Sequence, residues 1–166
     1  MHGTSQVRVN VRNELVIIGS KYENKVQVLT AETDRLLWEF DHGDTLSNFI
    51  VRDDWVITCC RKSVRVLRLD NGEELHRLDH PSECNKADLC PNKSILAVAC
   101  DAVVVIWDMK RVVKMKQFEL VDDSQPQTDY WGENPPHMFR DLRFNPSGDK
   151  LIVGSLHGRV FNIQMK

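Results

Sequence analysis

The stretches 48–60 (NFIVRDDWVITCC), 88–100 (DLCPNKSILAVAC) and 142–155 (LRFNPSGDKLIVGS) repeat one pattern, and that pattern decides the fold. Each stretch begins with a short run that holds apolar residues, crosses a polar turn and ends with a second run of the same kind. The turns are rich in Asp, Asn, Gly and Pro, whose backbone preferences and side-chain hydrogen bonds favour tight turns. Each stretch therefore predicts two β-strands joined by a short turn.

Apolar and polar residues alternate elsewhere in the chain, as in 7–11, 25–28 and 63–69. A period of two over four to seven residues is typical of strands that bury one face. No stretch of 11 or more residues shows a helical stripe. We therefore predict an all-β chain of four units, with four strands in each of the first three units and three in the last.

The third strand of each unit ends at a corresponding position, namely Leu29, Leu67, Trp107 and Ile163. These positions are 38, 40 and 56 residues apart. The first two spacings are close to the roughly 40–45 residues of a four-stranded propeller blade. The third is longer because of an insertion at about 119–137.

Two of these motifs carry a family resemblance. The turn at 144–151 (FNPSGDKL) resembles the turn between the first two strands of a WD40 repeat, and 104–108 (VVIWD) resembles its Trp-Asp ending. Asp-His at 41–42 and 79–80 stands where the family has Gly-His. The resemblance covers most of residues 1–166 and implies a WD40-like β-propeller segment of about four blades. Since a seven-bladed propeller needs roughly 280 residues at about 40 per blade, we predict a partial arc of a larger propeller.

Composition argues against several classes of partner. Lys and Arg number 22 against 24 Asp and Glu, so the net charge of −2 provides no positive field for nucleic acid. The longest apolar runs, 95–100 and 102–107, are far shorter than the roughly 20 residues that cross a bilayer. The first residues resemble no secretory signal, and five cysteines, an odd number, agree with a reducing compartment. We expect no nucleic-acid or membrane partner and a cytoplasmic location, with the nucleus as the alternative.

Enzyme motifs are absent from the sequence, including zinc-protease, nucleophile-elbow, phosphate-loop and C-x-x-C patterns. We predict no catalytic residue, no metal and no cofactor. A propeller enzyme is a less favoured alternative, since it would need polar side chains that converge from several inner strands. The inner strands offer a mixed set without a recognisable pattern: Asn48, Arg52, Lys86, Asp88, Asp141 and Arg143.

The resemblance also implies a structural network in the third unit. In WD40 blades a loop His, an Asp before the third strand and the closing Trp form a hydrogen-bonded chain, and His80, Asp101 and Trp107 occupy those positions. In the second unit, whose loop histidine is His42, Arg61 and Lys62 replace the Asp-Gly of the pattern. In the fourth unit His157 stands at the same place. We expect these substituted positions to be available to a partner.

The insertion at 119–137 holds five acidic residues, no Lys or Arg and three of the six prolines. It also holds the aromatic pair Tyr130 and Trp131. Long loops in compact domains are either functional or disordered, so this one is a candidate contact surface or a variable loop. The predicted partner-binding residues are Tyr130, Trp131, Asp122, Asp123, Asp129, His42, Arg61, Lys62 and His157.

These patterns predict a non-catalytic scaffold that binds other proteins. The alternative is the substrate-receptor portion of an F-box/WD-type ubiquitin ligase, which the degenerate repeats resemble. An open arc would expose apolar sheet faces, so we expect missing blades or self-association to close it.

Overall fold

The computed structural model describes residues 6–10, 14–92, 94–101, 103–119, 139–155 and 158–165. These residues form fifteen β-strands and no helix. Consequently no helix in the described part of the chain is long and apolar enough to cross a membrane. The all-β prediction is confirmed.

The strands form four antiparallel sheets, and neighbouring strands in each sheet are consecutive in the chain. Sheet 1 contains β1 (Gln6–Asn10), β2 (Leu15–Ser20), β3 (Lys25–Thr30) and β4 (Leu36–Asp41). Sheet 2 contains β5 (Leu46–Arg52), β6 (Trp55–Cys60), β7 (Ser63–Arg68) and β8 (Glu74–Asp79). Sheet 3 contains β9 (Cys84–Leu89), β10 (Ile95–Cys100), β11 (Val103–Asp108) and β12 (Val113–Glu119). Sheet 4 contains β13 (Phe139–Phe144), β14 (Lys150–Ser155) and β15 (Val160–Gln164).

The four predicted units correspond to these sheets, but several strand ends differ by one or two residues. The largest difference is at β9, since the sequence predicts a strand over 86–90 and the strand lies at Cys84–Leu89. Cys90 lies just beyond β9, and its N–H donates to the carbonyl of Ile95 at 2.8 Å, which closes the turn between β9 and β10. The chain divides into two compact units, Met1–Cys84 (unit 1) and Asn85–Lys166 (unit 2).

In unit 1, one face of sheet 1 packs on sheet 2. Alternate residues of β2 and β3, such as Ile17 and Val28, are fully buried in one cluster with Phe49 and Val56 of sheet 2. Gly19 permits this packing, since a Cβ there would lie 2.6 Å from the Phe49 ring. This alternation is the period of two seen in the sequence.

The opposite face of sheet 1 is open in unit 1. Val7 and Val9 of β1 are 52% and 62% exposed, and in the register they lie beside Ile18 and Val16 of β2. A soluble chain rarely leaves a continuous apolar sheet face in water. This open face agrees with the prediction that the sheets belong to an incomplete propeller.

Unit 2 has its own core between sheets 3 and 4. Ala97 and Ile106 of sheet 3 are buried in one cluster with Leu142 and Val153 of sheet 4. A polar contact fixes the same pair of sheets, because Asp88 of β9 accepts a hydrogen bond from the backbone N–H of Phe144 at 2.8 Å.

Candidate interaction surface

The loop end of unit 1 consists of the β2–β3 turn, the β4–β5 loop and the β6–β7 turn. Backbone hydrogen bonds hold these connections in place. The N–H of His42 donates to the carbonyl of Asn24 at 2.9 Å. The N–H of Gly43, at a φ of 63°, donates to the carboxylate of Asp41 at 2.8 Å. The loop end is therefore an ordered surface.

Arg61 and Lys62 form the two-residue β6–β7 turn, and both are exposed. Their carbonyls accept hydrogen bonds of 2.9 Å from the N–H groups of Cys84 and His80 respectively. The backbone of the turn is thus fixed while both cationic side chains extend into solvent. This position agrees with the expectation that the two residues are available to a partner, and binding itself stays a prediction.

His42 does not lie on the surface, which corrects its assignment as a contact residue. It is only 4% exposed, and its ring lies 5.0 Å from that of Phe40. The guanidinium of Arg65 covers the Phe40 ring at 5.4 Å and donates to the His42 carbonyl at 3.2 Å. His42 is therefore buried beside Phe40 of β4, and Arg65 of β7 holds its backbone.

The surroundings of His42 keep its ring neutral. Burial, together with the nearby charge of Arg65, lowers the pKa of His42 from 6.5 to about 4, although the carboxylate of Asp41 opposes this change. Neither ring nitrogen has a hydrogen-bond partner among the residues that the structure describes. His42 is therefore a buried, neutral core residue at neutral pH.

Burial also keeps the thiol of Cys60 in its protonated, unreactive form. Cys60, at the end of β6, is 1% exposed, and burial raises its pKa to about 12 despite the nearby positive charge of Arg65. Reactive cysteines are instead thiolates in exposed electropositive surroundings. Arg65 itself is committed to an ion pair with Glu74 at 2.7 Å.

The polar residues of the inner strands in unit 2 pair with one another. Asp88 is 2% exposed and lies 3.3 Å from the guanidinium of Arg143. Lys86 lies 3.7 Å from the carboxylate of Asp141. These ion pairs link β9 to β13 within unit 2.

The remaining predicted positions are only partly described. His80 is buried directly after β8 of unit 1, while Asp101, with a φ of 45°, and half-buried Trp107 lie in unit 2. Their network stays a prediction. Six predicted contact residues lie outside the described residues: Tyr130, Trp131, Asp122, Asp123, Asp129 and His157.

The sequence did not indicate a cleft at the opposite end of sheet 2 from Arg61 and Lys62. The cleft lies between the β5–β6 and β7–β8 turns and has a volume of about 340 Å³. Its walls include Trp55, Leu69 and Leu75. The only signal in the sequence is an aromatic residue directly after the acidic Asp53–Asp54 turn.

Comparison with solved structures identifies the architecture. The chain is similar to the C-terminal WD40 domain of Sif2, at 18% identity and a TM-score of 0.77 over 100% of this chain and 47% of that one. It is similar to the WD40 β-propeller domain of Doa1, at 17% identity and a TM-score of 0.75 over 98% of this chain and 50% of that one. It is similar to the β-propeller domain of Myceliophteria thermophila Cps50 (Swd1), at 19% identity and a TM-score of 0.76 over 99% of this chain and 54% of that one.

No family model matches the sequence, and no curated protein matches it. The chain spans about half the length of the three propeller domains. At such low identity the likeness shows the fold alone and does not assign the binding partners of those proteins to this chain. The chain therefore has the fold of WD40 β-propeller blades, as its repeats predict.

Proposed function

We propose that this chain is the blade segment of a non-catalytic WD40-type scaffold that binds other proteins. The observation that carries the proposal is its likeness to WD40 propeller domains over essentially its whole length. In such an architecture the sheets form a rigid frame and the loops vary, so contacts with partners are made by loops.

Two features support the loop ends of the blades as the contact surface. The exposed cations of Arg61 and Lys62 stand on a turn whose backbone is fixed by hydrogen bonds. The insertion at 119–137, which follows β12, combines acidic residues with Tyr130 and Trp131. Buried aromatics dominate many interfaces, and acidic neighbours favour a basic partner and speed its approach.

The chemistry of the described residues supports a non-catalytic role. The inner-strand charges of unit 2 are paired with one another, and the pKa of Cys60 is raised by burial. All five cysteines are free and buried. Free thiols persist in a reducing compartment, so we place the protein in the cytoplasm, with the nucleus as the alternative.

The substrate-receptor portion of an F-box/WD-type ubiquitin ligase is a narrower form of the same proposal. An F-box is helical, and the described residues form no helix. Sequencing the full-length transcript tests this form directly. An F-box in the same reading frame would support it, and its absence would exclude it.

The scaffold proposal is tested by replacing Tyr130 and Trp131 together with Ala. If the pair is a binding hot spot, its removal lowers the binding free energy by at least about 2 kcal/mol, which weakens the affinity for a protein partner roughly 30-fold. The matched control is Met115→Ala, because Met115 is a large side chain that is 51% exposed within β12, outside the proposed contact surface. Circular dichroism checks that the fold is intact in both variants.

We expect the double variant alone to lose partners, and the remaining binding to weaken as salt is added. Recovery of the same partners in the same yield from the double variant would contradict the assignment of this loop.

A further inference from the structure

The cleft at the turn end of sheet 2 is large enough to admit a side chain. Asp54 comes from the β5–β6 turn and Trp55 from the start of β6, while Arg68, Leu69, Asp70 and Leu75 come from β7, the β7–β8 turn and β8. Its volume of about 340 Å³ lies at the lower end of the range, roughly 300–1,000 Å³, in which small-molecule sites fall. Three of its lining residues are apolar, namely Trp55, Leu69 and Leu75, and the other three are charged, so an apolar wall stands beside fixed charges.

The two turns that border the cleft are fixed. The N–H of Leu69 donates to the carbonyl of Asp54 at 2.8 Å, which joins one turn to the other. The carbonyl of Leu69 in turn accepts a 2.8 Å hydrogen bond from the indole of buried Trp38 in β4. A cleft held in this way needs little ordering when a ligand binds, so less binding energy is lost.

The charges of the cleft favour a cation. Its own cation, Arg68, is already bound to Asp70 at 2.9 Å and lies 3.8 Å from Glu73. The charge of Asp54 contributes to raising the pKa of Arg68, after Asp70 and Glu73, but among the described residues Asp54 forms no direct ion pair. Because Asp54 is exposed and borders the apolar wall, its carboxylate is available to a cationic group that enters the cleft.

Acidic side chains outnumber basic ones among the described residues at the turn end of unit 1. The described turns there carry the acids Glu14, Glu32, Asp34, Asp53, Asp54, Asp70 and Glu73, while the basic residues are Arg35, Arg52 and Arg68. A surface dominated by one sign of charge attracts and steers ligands of the opposite sign.

We propose that this cleft binds an arginine side chain of a protein partner. The planar guanidinium stacks on the indole of Trp55 while its N–H groups donate to the carboxylate of Asp54. Guanidinium combines both interactions better than an ammonium group, since it stacks on aromatic rings and donates two parallel hydrogen bonds to a carboxylate. This site lies at the opposite end of sheet 2 from Arg61 and Lys62, so it is a second contact surface, independent of the proposed loop surface.

The test is an NMR titration of the 166-residue chain labelled with ¹⁵N, followed through the indole N–H signals. The probe is the peptide acetyl-Gly-Arg-Gly-amide, compared with the same peptide carrying Lys or Glu in place of Arg. The Trp55 signal is assigned from Trp55→Phe. We expect a saturable shift of that signal with the Arg peptide, weaker binding with Lys and none with Glu.

Two charge-matched variants make the result specific. Asp54→Asn should weaken binding of the Arg peptide about fivefold, the effect of losing one exposed ion pair. Asp34→Asn removes the same charge from the β3–β4 turn, outside the cleft, and should weaken binding clearly less than Asp54→Asn, because it removes only long-range attraction. The indole signal of Trp38, bonded to Leu69, reports in each variant that the two turns remain in place.

Each contrary outcome overturns the proposal. Absence of a saturable shift at Trp55 would exclude the site, and equal weakening by Asp54→Asn and Asp34→Asn would reduce it to long-range attraction. Equal affinity for the Lys peptide would show that the cleft does not recognise the guanidinium group. None of these results bears on Tyr130 and Trp131, so failure here is distinct from failure of the scaffold proposal.

Discussion

Protonation of His42 should dominate the loss of stability of unit 1 in mild acid. In the folded chain the pKa of this ring is about 4, whereas the ordinary value in an unfolded chain is 6.5. The unfolded state therefore binds a proton first as the pH falls, and stability rises with pH wherever the unfolded state binds more protons. The contribution of His42 to the free energy of unfolding should start to fall below about pH 6.5 and level off near pH 4.

The size of the effect follows from the two pKa values. Each pH unit between them corresponds to about 1.4 kcal/mol, so the full gap lowers the free energy of unfolding by about 3 kcal/mol. Because His42 is almost fully buried, solvent screening does little to reduce this figure. A domain of ordinary stability has a free energy of unfolding of only about 5–15 kcal/mol, so the effect is measurable.

Urea unfolding at several pH values between about 7.5 and 4 measures this contribution in the native chain and in His42→Phe. Phenylalanine keeps an aromatic ring beside Phe40 and removes the titrating group. Any constant packing penalty cancels when only the pH dependence of the two proteins is compared. We expect the difference between them to change by about 3 kcal/mol over this interval. Parallel pH profiles would refute the assignment of a buried neutral histidine.

Three further changes test the packing of the sheets. Asp88→Ala should lower the free energy of unfolding by about 1–3 kcal/mol, because the half-buried N–H of Phe144 and the guanidinium of Arg143 both lose their charged acceptor; an unchanged urea midpoint would contradict this. Trp38→Phe removes the buried indole donor to the β7–β8 turn and should lower the free energy of unfolding by about 1–3 kcal/mol in the same assay. An unchanged midpoint would show that this bond is not formed in solution. Val7→Ser combined with Val9→Ser should reduce self-association in light scattering, and equal association would show that this sheet face is not responsible.

The strands and their order could be predicted from the sequence because their signals are local. Alternation of apolar residues fixes which face of a strand is buried, and the turn formers mark where it ends. The β5–β6 turn is an example, since Asp53 adopts a φ of 51° that Asp tolerates better than most residues. Four such repeats were enough to indicate propeller blades.

The environments of individual side chains could not be predicted in the same way. His42 lies between Asp41 and Gly43, a context typical of an exposed loop, yet it is buried, and its carbonyl accepts a hydrogen bond from Arg65, 23 residues further along the chain. Asp88 and Arg143 are 55 residues apart in sequence and meet only because β9 lies beside β13. Such contacts are set by the packing of sheets, for which one sequence carries no local signal.

The same limit applies to the cleft at the turn end of sheet 2. Its residues come from β6, β7, β8 and two turns, and each alone is typical of an ordinary strand end or turn. Only the pairing register, which sets Trp55 opposite Arg68, brings the aromatic wall and the charges together.

The most direct test of the claim that partners bind at the loop ends of the blades is lysine-specific crosslinking. A captured partner is crosslinked to this chain, and mass spectrometry identifies the lysines that react. Lys21 and Lys62 are exposed at the loop end of unit 1, while Lys114 and Lys116 are exposed along β12. The account predicts crosslinks to Lys62 and Lys21 that disappear with the Tyr130→Ala and Trp131→Ala double variant. Crosslinks concentrated on Lys114 and Lys116, and retained in that variant, would contradict it.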